Sequence, residues 1–120
     1  SPDLDNPTNQ KFVADFRAKY GRYPSFYAAQ AYDAAMLIRS AVEEVGGDQE
    51  NIENLRNALG RANFDSVRGS FAFGLNHFPI QNFYLLEVVR DADRAFTTRI
   101  VDVVYTDHVD PYVKDCKMRR

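Results

Sequence analysis

Hydrophobic positions change their period midway along the chain. In the first half, Phe12, Val13, Phe16 and Tyr20 fall on one helical face after Asn6-Pro7, a capping residue followed by proline where a missing N–H costs nothing. Gly21 offers a left-handed stop. A second helix is predicted from Pro24-Ser25 through Ala28, Ala31, Ala35, Leu37, Ile38, Ala41, Val42 and Val45 to Gly46-Gly47. Its many alanines permit close approach of a neighbouring element. A third helix starts near Asp48 or Asn51, with Ile52, Leu55, Ala58, Leu59 and Ala62 as its stripe. In the second half, Val67 to Phe73 alternates loosely, with Phe71 and Phe73 on one face, before a turn from Gly74 to Pro79. Phe83 to Val89 and Thr97 to Tyr105 are rich in β-branched and aromatic residues and read as strands. Asp91 to Ala95 suits a hairpin connection, and Asp110-Pro111 opens a short final helix or turn.

Three helices followed by three strands is an unusual recipe for a free-standing α/β domain, because no strand lies between the helices to build a parallel sheet. The second helix is apolar over much of its circumference, from Phe26 and Tyr27 through Tyr32 to Met36, and needs cover on several sides. The rest of the chain cannot supply it. A portion of a larger α/β protein is therefore expected, with its natural start elsewhere; the first residues are Ser1-Pro2-Asp3.

Composition narrows the function. With 45% hydrophobic and 27% charged residues the 120-residue chain has an ordinary globular balance. A net charge of -2 gives no basic footprint for nucleic acid and no polybasic membrane signal. No apolar run approaches the roughly 18 residues of a membrane span, and no signal peptide opens the sequence. Nine Phe and seven Tyr require a sizeable core or aromatic interfaces. One cysteine, Cys116, cannot form an internal disulfide or build a metal site alone, though it can pair with a cysteine elsewhere.

Candidate catalytic groups do not assemble. Ser70 and His77 lack the Gly-x-Ser-x-Gly context of a hydrolase. Asp107, His108 and Asp110 have no second anchor for a metal, and Gly69 to Gly74 lacks the Lys-Ser/Thr of a phosphate loop. The expectation is a protein that is not an enzyme and that uses no metal or cofactor.

Four phrases carry a resemblance. They are Phe12 to Pro24 (FVADFRAKYGRYP), Phe26 to Ala34 (FYAAQAYDA), Ala62 to Phe73 with its Gly-x-x-x-Phe ending, and Asp110 to Met118 (DPYVKDCKM). Together they resemble, in order and near its spacing, the periplasmic branched-chain amino-acid-binding family, the type I solute-binding proteins that feed ABC importers. The departure is length: the opening βα units of the first lobe and most of the second lobe are not among these residues.

The resemblance implies the C-terminal portion of a two-lobe α/β fold. Residues 1–75 would complete the first lobe, and residues 76–120 would cross the hinge and add the hairpin and tail to the second. It implies a periplasmic or extracellular protein that captures a small carboxylated solute, an amino acid or aromatic acid, and delivers it to an ABC permease. Tyr27 corresponds to an aromatic lining the interlobe cleft, where a ring covers a ligand's apolar part and a phenol donates to a carboxylate. Phe26 and Gln30 are its neighbours. Two other classes stay open: a ligand-sensing regulatory domain on the same scaffold, and an interaction domain that completes its core by self-association.

Overall fold

The computed structural model describes residues 1–118. Helix α1 spans Pro7–Tyr20, α2 Phe26–Glu44 and α3 Ile52–Arg61; strands β1 (Ala72–Phe73), β2 (Pro79–Arg90) and β3 (Phe96–His108) follow, then a 3-10 turn at Val113–Asp115. The start signals act as the sequence predicts. The side chains of Asn6, Ser25 and Asn51 each accept an N–H from three residues on, capping α1, α2 and α3. Gly21, at φ 65°, ends α1 and donates its N–H to the Arg17 carbonyl.

Capping begins the helices and packing holds them. Phe12, Val13 and Val67 form a buried cluster, with Phe16, Tyr23, Ala28, Ala29 and Tyr32 against it. The Phe12 and Tyr32 rings sit 4.8 Å apart. Between α2 and α3 the buried side chains are Ala41 and Ala58, small enough for the helices to pack closely. An ion pair from Arg61 Nε to Glu44, at 2.6 Å, closes the end of that pair.

The strand expected from Val67 to Phe73 is largely absent: only Ala72–Phe73 pairs, antiparallel to β2. The reason is Asp33. Its buried carboxylate takes the Ser66 hydroxyl at 2.7 Å and the Val67 N–H at 2.9 Å, so the backbone before β1 serves a side chain instead of a ladder. Gly69, at φ 100°, completes the bend.

β2 and β3 pair antiparallel, with Leu86 opposite Ile100 and Arg90 opposite Phe96, and with register shifts near Phe83 and Leu85. Both run further than the predicted spans because the turns at each end let pairing continue. Asp91 and Ala95 exchange hydrogen bonds across the hairpin connection, and Arg94 adopts φ 63°. The Gly74–Pro79 turn is tight: Gly74 N–H donates to the Phe78 carbonyl at 2.8 Å.

The hairpin projects from the helices. No Cα of α1, α2 or α3 lies within 8 Å of a Cα of β2 or β3 among the described residues. The radius of gyration, 16.6 Å, exceeds the roughly 14 Å of a compact domain this long.

Candidate functional site

Three sets of side chains bridge the gap between helices and hairpin. At the hairpin tip, Asp91 Oδ1 accepts the Ala95 N–H, which stiffens the turn, while Oδ2 accepts the Tyr23 hydroxyl at 2.8 Å. Arg17 stacks over the Tyr23 ring at 4.3 Å and reaches Asp91 at 3.4 Å and Asp93 at 3.3 Å. The Tyr23 hydrogen bond holds the Asp91 carboxyl below the usual carboxylate range. The same bond to Asp91 pushes the Tyr23 phenol up. Along β3, Ser1 donates to the Thr98 carbonyl and Asp3 accepts the Ile100 N–H. Nearer the core, Arg68 donates from Nε to Asp33 at 2.7 Å and from Nη1 to Gln81 at 2.9 Å.

These bridges border an open cavity of about 600 Å³. Its helix-side wall includes Phe12, Val13, Phe26 and Ala29; its hairpin-side wall includes Phe83, Leu86, Val88 and Ile100. Asn9, Gln81, Asn82 and Thr98 add neutral polar groups, and the Thr97 hydroxyl oxygen is buried without a hydrogen-bond partner among the described residues. Arg68 supplies the one charged side chain in the lining among the described residues. An open, mostly apolar cavity with few polar groups suits contact with a small organic molecule.

The three site residues expected from the sequence separate. Phe26 lines the cavity lip. Tyr27, 77% exposed, lies outside it with its ring edge-on to Phe26 at 5.9 Å, and Gln30 is exposed further along α2. All three present to solvent on the first turns of α2. The Ser70 hydroxyl donates to Asp107, while His77 packs edge-on to Phe73, so the two do not meet.

Sequence reasoning missed Asp33, Arg68 and the Arg17–Tyr23–Asp91 clasp. One signal for Asp33 was present: a carboxylate in the middle of an alanine-rich, otherwise apolar helix needs dedicated donors when buried. Arg68 and the clasp left no such mark, because Arg68 lies 35 positions from Asp33 and 13 from Gln81, and Asp91 lies 68 positions from Tyr23 and 74 from Arg17.

A family model described as periplasmic binding protein matches residues 1–94. No curated protein matches the chain. Among solved structures, it is similar to the solute-binding protein of an ABC transporter from R. palustris in complex with benzoate, at 35% identity and a TM-score of 0.81. That match covers 97% of this chain and 31% of the other, so helices and hairpin superpose together. An ABC transporter substrate-binding protein from Sphaerobacter thermophilus is 28% identical with a TM-score of 0.78, over 88% of this chain and 29% of its own. The chain thus spans about a third of the length of the structures it matches.

Proposed function

The chain belongs to the periplasmic binding protein family, and from that premise we propose that it is the terminal portion of an extracytoplasmic solute-binding protein of an ABC importer. Its task is reversible capture rather than catalysis: two lobes close about a hinge, bury a small carboxylated solute and present a closed surface to the membrane permease. Residues 1–75 complete one lobe; residues 76–120 cross the hinge and contribute the hairpin and tail to the other. The observation that carries this reading is the superposition of nearly the whole chain on a 35% identical solute-binding protein. That relative's benzoate, with the aromatic side chains grouped at the start of α2, favours an aromatic acid over an amino acid.

Phe26, Tyr27 and Gln30 form one wall of the binding cleft in this reading, the exposed rings facing ligand and the second lobe. Calorimetry on the complete protein with benzoate and leucine tests it: micromolar or tighter binding of one of them is expected, and binding of neither overturns the reading. In the same protein, Tyr27→Ala should weaken binding by about 1–3 kcal/mol, the scale of one large aromatic contact. An unchanged affinity with a lowered melting temperature would make Tyr27 structural.

A further inference from the structure

We propose that Arg68 is the anion-recognising residue of the cavity, taking the carboxylate of a flat acid whose apolar body lies against Phe26 and Phe83. The proposal rests on the solute-binding reading above and assigns its charge recognition to one side chain.

Position comes first. Arg68 carries the one charge among the described cavity-lining side chains, in a wall otherwise of apolar and neutral polar groups. Its side chain is only 19% exposed, so an anion that reaches it leaves most competing water behind.

Valence is the second argument. Asp33, 2% exposed, accepts from the Ser66 hydroxyl, the Val67 N–H and Arg68 Nε, so its demand for donors is largely met. A guanidinium has five N–H groups. Two are used, on Asp33 and Gln81, which leaves three without a protein acceptor among the described residues. Those three lie on the two Nη atoms, the edge that pairs side by side with a carboxylate. The Asp33–Arg68 pair is neutral as a unit, so it draws no anion over distance and rewards only one that docks on the open edge.

Preorganisation is the third. Asp33 fixes Nε, Gln81 fixes Nη1, and the guanidinium carbon sits 5.1 Å from the centre of the Phe71 ring. A long side chain held at three points has little rotamer freedom left to lose on binding. Phe26 and Phe83, both well exposed, then offer flat apolar surface to a ring.

The test uses the full-length protein that contains this chain, with benzoate and its neutral isostere benzamide as probes. Arg68→Gln should weaken benzoate roughly 10- to 100-fold, the scale of a hydrogen bond to a charged group, and move benzamide far less. Arg68→Lys should recover part of the preference for the anion. Loss of both probes alike, or benzoate binding within about threefold of the parent, overturns the proposal. Should Arg68→Gln fail to fold, Arg68→Lys decides: an unchanged benzoate-to-benzamide ratio overturns it, because a point charge cannot reproduce the fork. Binding of benzoate by the parent with no effect of Arg68 sinks this inference alone. A parent that binds neither benzoate nor leucine sinks the solute-binding reading and the inference with it.

Discussion

The helices and the hairpin spend their hydrophobic residues differently. Phe12, at 7% exposure, is enclosed by rings and alanines from two helices and by Val67. Val88, at 69%, sits in an equally regular element with almost nothing over it. Both regions are well formed locally, since caps and ladder hydrogen bonds do not need a second layer. Burial does need one, and among the described residues no helix packs directly on the hairpin. Ser1, Asp3 and the Asp91 clasp tether it, but tethers remove little apolar surface from water. A hairpin alone is marginal in water, and its surplus of apolar residues fits a protein three times this length, like the relatives that share its arrangement.

The largest effect expected from this contrast is self-association of the isolated 120-residue chain. Leu85, Val101, Val103 and Val104 are exposed on the hairpin, and covering such side chains is worth roughly 1.5–3 kcal/mol each. Ser1 and Asp3 bond two backbone groups of β3, but no further strand pairs its outer edge among the described residues. Sedimentation at rising concentration should show dimers or larger species. A monomer persisting at high concentration would break the comparison, because the chain would then tolerate its bare face.

Truncation comes next. Phe12→Ala should cost about 3–5 kcal/mol in denaturant unfolding, as for a ring removed from a closed core. Leu85→Ala, measured at a concentration where the chain is monomeric, should cost under about 1 kcal/mol. Equal costs would mean that the hairpin has cover.

The clasp sharpens the contrast through pH. Asp91 is depressed by the Tyr23 hydroxyl, so its contribution is present above the ordinary carboxylate value of about 4 and lost as pH falls through its own lower value. Tyr23 is raised by the bond to Asp91, so its contribution is full below the ordinary phenol value of about 10 and lost as pH rises through its higher one. The Ala95 amide resonance should therefore report a docked tip across the neutral range and a released one at the acid limit. Asp91→Asn should remove the acid step; a step that survives would have to come from another group.

The smallest effect belongs to Glu87–Arg99, paired across the hairpin at 2.6 Å with both side chains more than half exposed. Glu87→Ala should change stability by no more than about 0.5 kcal/mol. A loss several times larger would show that this face is enclosed.

Asn6-Pro7, Ser25, Asn51 and Gly21 announced the helices because capping is a bond between neighbours in sequence, readable before any packing exists. The β2–β3 hairpin was legible for the same reason, through β-branched runs on either side of Asp91–Ala95. The bare circumference of α2 was legible too, and the structure leaves Phe26, Tyr27 and Ile38 exposed along it. The Val67–Phe73 strand was misread because alternation describes side chains, whereas the backbone there is claimed by Asp33 from another helix. Phe26 and Tyr27 are legible as neighbouring rings at the start of α2, but which of two neighbours 100° apart on a helix lines the cavity depends on where the hairpin docks. That docking, the cavity it creates and the aim of Arg68 are tertiary decisions. They are made by contacts between residues far apart in sequence, whose geometry no local pattern encodes.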